Sequence, residues 1–250
     1  MVEVIPRQSS RRVRTVLSAG MMVPVKAILW DMDGTLVDTE PRWGTATYAM
    51  AEAMGRPLTP EVREKTVGGT ADGTVRLCAA WAGLDPTDAE VEGWISWLYA
   101  RVSELFAEEL DMRPGVPGLL AQGNAAGMPM MVVTNTFRSL TDQALETIGA
   151  THFQGSVCGD EVAVGKPDPT AYLTAAERLG VAPDDCLVLE DSTNGMTAAA
   201  AAGCRVVGLP APGTVVPSGA VAVAELRTDG RDDLDGLDLD VLYGFWAALG

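Results

Sequence analysis

Four short apolar runs divide the chain, and segments with helical spacing of apolar residues stand between them. The runs are 25–30, 128–133, 186–189 and 204–209. They are rich in Val, Leu, Met and Ile and show no regular alternation with polar residues, which is typical of strands buried on both faces. Strands that alternate with helices in this way predict an α/β protein with a doubly wound parallel sheet.

Five further helical patterns stand in the chain from residue 116 onward. In each of them apolar residues recur every three or four positions. We predict helices over 116–126, 139–149, 170–180, 193–202 and, at the end of the chain, 241–249.

The segment between the first two runs is far longer than one connection in a parallel sheet needs. It contains four helical patterns, a set of tryptophans that can form a core of their own, and no convincing strand. We therefore predict a small all-helical domain over 43–110, inserted into a core made of 23–42 and 111–250. The four helices are expected at 43–54, 60–66, 74–82 and 88–110.

Polar residues follow three of the runs where the strands end. Asp31 and Asp33 follow the first run, Thr134 the second, and Glu190 with Asp191 the third. Ligands of such sheets bind beyond the carboxyl ends of the strands. Carboxylates brought close together repel each other unless a proton or a cation lies between them. Hard oxygen ligands of this kind suit Mg²⁺.

Lys166 supplies the local positive charge that an acidic protein needs for an anionic substrate. It is one of three lysines, and prolines on its carboxyl side constrain its loop, GKPDP at 165–169. A divalent cation, a lysine, a hydroxyl group and backbone N–H groups together form a phosphate site.

Composition excludes several classes of function. The formal net charge is −16, from 34 acidic and 18 basic residues, which argues against binding to nucleic acid or to an anionic membrane. A single histidine excludes sites built on several histidine ligands. The four cysteines are far apart and include no CxxC pair, so free thiols in a cytoplasmic protein are expected.

Residues 1–22 differ from the rest, because they are rich in Arg and Ser. We interpret them as a disordered tail or as the result of a start site placed too early. A twin-arginine export signal is the alternative, although the apolar part is short and Lys26 interrupts it.

The motifs in combination resemble those of the haloacid dehalogenase-like superfamily. These motifs are DMDGT at 31–35, Thr134, GKPDP at 165–169 and LEDSTNG at 189–195. The resemblance extends over about residues 25–225. The place of the insert is similar to the branch, subfamily I, whose helical cap lies between the first two motifs. It implies a Rossmann-like core with 43–110 as the cap.

The resemblance also implies roles for the acidic residues. Asp31 would be the nucleophile that forms an aspartyl-phosphate. Asp33 would protonate the leaving oxygen and then activate water. Mg²⁺ would be held by the Asp31 carboxylate, the Asp33 backbone carbonyl and Asp191, with Glu190 in support.

Further residues would hold the phosphoryl group, again as the resemblance implies. Thr134 and Lys166 would bind its oxygens, and Asn135 would contribute its backbone N–H. Ser192 and Asn194 are additional candidates near the metal. Arg138 could reach a substrate phosphate or lie on a solvated helix start.

The function implied is that of a Mg²⁺-dependent phosphatase of a small phosphorylated metabolite, with a sugar phosphate as one candidate. The protein would be a monomer or a small homo-oligomer. The alternative is a mutase similar to β-phosphoglucomutase, which needs an Arg in the cap loop and a His after the first motif. Ala71 and Trp43 stand near those positions here, and both departures favour hydrolysis.

Three other activities are disfavoured by particular residues. True dehalogenases lack the second aspartate of the first motif, which is present here as Asp33. Phosphonate cleavage needs a Schiff-base lysine in the cap, where the one candidate is Lys65. A catalytically dead binding protein would have lost Asp31 or Asp33.

Overall fold

The computed structural model describes residues 25–107 and 110–250. The predicted tail at 1–22 therefore lies outside the described residues. The described chain forms one six-stranded sheet in which every pairing is parallel, in the order β3-β2-β1-β4-β5-β6. This is the doubly wound order predicted from the strand and helix alternation. The strands are β1 Ala27–Trp30, β2 Met130–Val133, β3 Ser156–Val157, β4 Cys186–Glu190, β5 Arg205–Gly208 and β6 Ala220–Ala222.

The sheet is buried on both faces, because successive side chains of its central strands enter two different apolar clusters. Ile28 and Trp30 of β1 belong to the cluster that contains residues of the helices Val116–Ala126 and Leu239–Ala248. Ala27 and Leu29 belong to the cluster that contains residues of the helices Thr170–Leu179 and Thr193–Ala201. Burial on both faces explains why the strands read as unbroken apolar runs. The helices that follow β1 in the core are α5 Val116–Ala126, α6 Arg138–Ile148, α7 Thr170–Leu179, α8 Thr193–Ala201, α9 Val223–Leu226 and α10 Leu239–Ala248.

Four helices between β1 and β2 form what we call the helical insert. They are α1 Glu40–Ala53, α2 Pro60–Glu64, α3 Ala71–Ala82 and α4 Asp88–Phe106. The first of them begins at Glu40, three residues before the predicted start at Trp43, with Pro41 in its first turn. Proline there is compatible with a helix, because the N–H groups of the first turn have no acceptor within the helix, so a missing N–H loses no helical hydrogen bond.

The insert joins the core through two connections that run side by side. Val37 pairs with Met112 in an isolated antiparallel bridge, and the N–H of Asp38 donates to the carbonyl of Asp111 at 2.9 Å. The N–H of Arg113 donates to Leu36 at 2.9 Å. The segments that lead into and out of the insert are therefore held together by backbone hydrogen bonds. Within the described ranges, none of the helices has the length and apolar character to cross a membrane.

Candidate active site

The ends of β1 and β4 bring three carboxylates together. Trp30 is in register with Leu189, and the N–H of Asp31 donates to the carbonyl of Leu189 at 3.0 Å. Asp31 therefore lies beside Glu190 and Asp191, at the point where the strand order reverses. Oxygen atoms of these three side chains lie within 4.8 Å of one another. Crevices at such a reversal are the usual ligand sites of doubly wound sheets.

Lys166 is buried at the centre of this group. Its Nζ donates to Asp31 Oδ1 at 2.6 Å, to Glu190 Oε1 at 2.6 Å and to the carbonyl of Val133 at 2.8 Å. Burial alone would lower the pKa of this ammonium group, but the charges of Asp31 and Glu190 outweigh burial and raise the pKa. Lys166 is thus a fixed cation that orients one oxygen of Asp31.

Glu190 is fully buried, and both of its oxygens accept hydrogen bonds. Besides Lys166, Oε1 accepts the Tyr172 hydroxyl at 3.2 Å. Oε2 accepts the N–H and the hydroxyl of Ser192 at 2.9 and 3.0 Å. Glu190 therefore anchors Lys166 and the start of α8 as well as belonging to the acidic cluster. Tyr172 was not predicted, because on α7 it occupies an ordinary core position of the helical pattern.

The acidic cluster fits a divalent cation. Asp31 Oδ2 is buried and has no hydrogen-bond partner. Burial and the charge of Glu190 raise the pKa of Asp31. The same two causes raise the pKa of Asp191 to about 8. The positive charge of Lys166 lowers both pKa values but offsets only part of the increase. A cation between the carboxylates would relieve both the repulsion and the unpartnered oxygen. An all-oxygen donor set favours Mg²⁺ over softer metals.

Asp33 lies outside that cluster, held by four donors. Its Oδ1 accepts from the Thr39 hydroxyl at 2.7 Å and from Trp43 Nε1 at 3.0 Å. Its Oδ2 accepts from the hydroxyls of Thr136 at 2.8 Å and Thr134 at 3.2 Å. Two of the donors, Thr134 and Thr136, follow β2 in the core. The other two, Thr39 and Trp43, lie at the start of the insert. The role of the Asp33 backbone carbonyl as a metal ligand stays a prediction.

Three of these donors were not predicted as site residues. Thr39 and Thr136 had no assigned role, and Trp43 was noted only for replacing a histidine. Thr136 lies two residues beyond Thr134 at the end of β2, which was a usable signal. The role of Thr39 and Trp43 depends on how the insert docks, and no sequence pattern reports that.

Asn135 holds the loop of Lys166 in place. Its Oδ1 accepts from the backbone N–H of Lys166 at 2.8 Å, and its Nδ2 donates to the carbonyl of Lys166 at 3.2 Å. The side chain of Asn135 is thereby occupied by the Lys166 loop, and a contact of its backbone N–H with a phosphoryl oxygen stays a prediction. Thr134, Asn135 and Lys166, the three predicted phosphate ligands, all line one cleft with Asp31.

The cleft has a volume of about 610 Å³ and lies between the strand ends and the helical insert. That volume is typical of a site for a small metabolite. At its edge Asn194 Nδ2 donates to the carbonyl of Gly68, in the connection between α2 and α3, at 2.8 Å. Arg138 is not among the lining residues. Its guanidinium binds Glu161, Asp142 and Ser156 instead, so of the two predicted alternatives the structure favours the position at a helix start, the first residue of α6.

Comparison with known proteins identifies the family. A sequence model described as haloacid dehalogenase-like hydrolase matches residues 25–203. The chain belongs to the haloacid dehalogenase-like hydrolase family. The resemblance inferred from the motifs and the prediction of a hydrolase are thereby confirmed. The parallel sheet with flanking helices is the Rossmann-like core that the resemblance implied.

Individual members of the family are similar along most of their length. Protein CbbY of Cupriavidus necator is 33% identical over 204 residues, 74% of this chain and 78% of that protein. A phosphorylated carbohydrates phosphatase of Thermotoga maritima is 32% identical over 188 residues, 74% of this chain and 85% of that protein. The crystal structure of CbbY from Rhodobacter sphaeroides in complex with phosphate superposes with a TM-score of 0.75 at 27% identity, covering 87% of this chain and 99% of that one.

Proposed function

We propose that this protein is a Mg²⁺-dependent phosphatase that hydrolyses a small phosphorylated metabolite through an aspartyl-phosphate on Asp31. The observation that carries the proposal is the environment of Asp31. One oxygen is fixed by Lys166 at 2.6 Å, and the other is buried without a partner beside Asp191 and Glu190. A carboxylate oriented in this way, at the floor of a cleft, is suited to nucleophilic attack.

In the first step, an oxygen of Asp31 attacks the phosphorus atom, and the bond from phosphorus to the leaving oxygen breaks. Asp33 gives its proton to that leaving oxygen. In the second step, Asp33 takes a proton from water as the water attacks the aspartyl-phosphate. Inorganic phosphate leaves, and Asp31 is restored as a carboxylate. The four donors around Asp33 hold its carboxylate two residues from the nucleophile, where it can take a proton from water in the second step.

The chain's other residues would neutralise and position the phosphoryl group. Bound Mg²⁺, held by Asp31, Asp191 and the Asp33 carbonyl, supplies charge that offsets repulsion between the nucleophile and the phosphate. Lys166, Thr134 and Asn135 line the same cleft. Glu190 acts mainly by anchoring Lys166, since its oxygens are already occupied.

The helical insert, over 43–110, would act as a cap domain on a core of 23–42 and 111–250. It lines the cleft opposite the strand ends and supplies Thr66 to Gly69 and Tyr99 to its wall. A cap over the nucleophile excludes bulk water and selects the leaving group. The paired connections at Asp38 and Asp111 would be its hinge.

A sugar phosphate is a reasonable substrate class, since a similar protein acts on phosphorylated carbohydrates. Hydrolysis is favoured over the mutase alternative by Trp43, which occupies the histidine position and binds Asp33. The described cysteines, all buried and free, support a cytoplasmic location.

Release of inorganic phosphate tests the proposal. We expect turnover of p-nitrophenyl phosphate and of a sugar-phosphate panel in Mg²⁺, and loss of turnover in EDTA. Asp31→Asn should lower kcat by at least about a thousandfold, because the nucleophile is removed. Asp72→Asn, at an exposed ion pair on α3, is the control and should match the wild type. Equal rates for Asp31→Asn and the wild type would refute the proposal.

A further inference from the structure

An ion pair on the insert side of the cleft has no role in the steps above. Arg63 of α2 donates to Glu40 Oε1 at 2.5 Å and to the Thr66 hydroxyl at 2.8 Å. Both members of the pair line the cleft that contains Asp31. The pair therefore faces the part of a substrate that lies beyond its phosphate.

The two members of the pair differ in exposure. Arg63 is only 7% exposed, whereas the Glu40 side chain is 48% exposed, so water or a ligand can reach the Glu40 carboxylate. Each terminal nitrogen of Arg63 carries two N–H groups, and the bonds to Thr66 and Glu40 use one on each. A ligand group that can both donate and accept would therefore suit this pair.

The charge balance of the cleft argues against a second anionic group on the substrate. Six carboxylates and three basic side chains line it. Lys166 is bound to Asp31 and Glu190, and Arg63 to Glu40. The remaining base, Arg113, also lines a separate crevice with Asp232 and Asp233. A second phosphate or a carboxylate placed near Arg63 would meet the charge of Glu40.

We propose that Glu40 and Arg63 determine specificity for an uncharged, hydroxylated leaving group, as in sugar or sugar-alcohol monophosphates. The proposal rests on the phosphatase function proposed above. A hydroxyl group donates its proton to the Glu40 carboxylate, while a neighbouring hydroxyl oxygen accepts from the Arg63 guanidinium. Adjacent hydroxyls on one carbon chain satisfy both partners, which a single anionic group cannot do.

The test compares kcat/KM among substrates in Mg²⁺. The panel is glucitol 6-phosphate, glucose 6-phosphate, fructose 1,6-bisphosphate, 2-phosphoglycolate and p-nitrophenyl phosphate. We expect the wild type to prefer glucitol or glucose 6-phosphate over the bisphosphate and over phosphoglycolate by about tenfold or more, equivalent to about 1.4 kcal/mol. Preference for a substrate with a second anion would overturn the proposal.

Glu40→Gln should shift substrate selectivity toward the bisphosphate. It removes the repelling charge and leaves Arg63 without its counter-ion. The ratio of kcat/KM for the bisphosphate to that for glucitol 6-phosphate should therefore rise by about tenfold. Arg76→Gln, at an exposed ion pair on α3, is the control and should leave the ratio unchanged. If Glu40→Gln changes kcat/KM for every substrate in parallel, the pair is only structural.

Failure of the phosphatase function would be visible separately, as no turnover of any substrate, including p-nitrophenyl phosphate. In that case the affinity of the wild type and of Glu40→Gln for glucitol 6-phosphate, measured by calorimetry, tests the Glu40–Arg63 subsite without any need for turnover. About tenfold weaker binding by Glu40→Gln supports the subsite. Equal binding by the two proteins, or no binding by either, overturns it.

Discussion

Gly34 shows how closely the first motif is packed against the acidic cluster of Asp31, Glu190 and Asp191. Its φ is +87°, and a Cβ there would lie 2.1 Å from Asp191 Oδ2. Both the backbone angle and the nearness of a carboxylate require glycine. The Gly of DMDGT is thus explained by the position of Asp191, which is 157 residues away in the chain.

Gly34→Ala should reduce both stability and activity. The methyl group displaces Asp191, so we expect a loss of about 1–3 kcal/mol in the free energy of unfolding and a raised Mg²⁺ requirement. Gly127→Ala is a matched control, because its φ is +66° but no atom lies within 4 Å of the added Cβ. Urea titration and Mg²⁺-dependent phosphate release measure the two effects. An unchanged Mg²⁺ requirement in Gly34→Ala would contradict this account.

Trp43→Phe should lower kcat more than it changes KM. The substitution keeps an aromatic ring beside Tyr99, whose ring centroid lies 5.6 Å away, but removes the indole donor to Asp33. We expect kcat to fall by about 3- to 10-fold, because a less firmly held Asp33 transfers its proton less often. Trp97→Phe on the partly exposed face of α4 serves as the control. Steady-state kinetics with one substrate measure kcat and KM for both variants. A change in KM alone would contradict the role of Trp43 in holding Asp33.

Many site residues could be predicted because their chemistry is local. Asp31, Asp33, Thr134, Lys166 and Asp191 each follow a strand or stand in a short motif. Partners such as Thr39 and Arg63 could not be predicted, since their importance arises when the insert docks against the strand ends. Long-range packing of this kind leaves no periodic signal in the sequence.

At the scale of elements, the register of β1 against β4 creates the electrostatic character of the site. Adjacent parallel strands end at one edge, so their terminal carboxylates are forced together. Without metal, burial and neighbouring carboxylates raise the pKa of Asp191 to about 8, above the value of about 4 in an unfolded chain. The folded protein then binds more protons than the unfolded chain between these two values.

The metal-free protein should therefore lose stability as the pH rises from about 4 to about 8. Mg²⁺ offsets the repulsion only where the carboxylates are ionised, so it should raise Tm more at pH 8 than at pH 5. At this chain length each kcal/mol corresponds to about 2–4 °C. Thermal denaturation in MgCl₂ and in EDTA at both pH values measures the difference. Equal Tm gains at the two pH values would be inconsistent with the cluster as the metal site.

The longer strands were predicted from the sequence, and the shortest strands were not. Helix α5 was predicted with its bounds Val116–Ala126, and the four longer strands were found within two residues at each end. Strands β3 and β6, of two and three residues, were missed. So few residues show neither a periodic pattern nor an apolar run, and their strand geometry comes from pairing with β2 and β5.

At the scale of the whole molecule, the insert and the core touch across the cleft through Asn194 and Gly68. Asn194→Ala removes this hydrogen bond, which is worth about 0.5–1.5 kcal/mol. We expect faster amide hydrogen exchange at 66–70 and an increase in KM of about threefold, since the closed arrangement becomes less favoured. Asn124→Ala, which removes the 2.8 Å contact to His152 instead, is the control. Unaltered exchange at 66–70 would show that the contact does not hold the insert.

The bridge between Val37 and Met112 has a consequence for how such a protein can change. Because the chain leaves and re-enters the core at one point, the backbone of the insert is joined to the core through a single pair of hydrogen-bonded segments. The helices can therefore be exchanged for another set with closely spaced ends while the strands keep their register. Recognition is in this sense modular: a foreign insert grafted at 38 and 111 would bring new side chains to the cleft, and it would also have to supply a donor to Asp33 in place of Trp43.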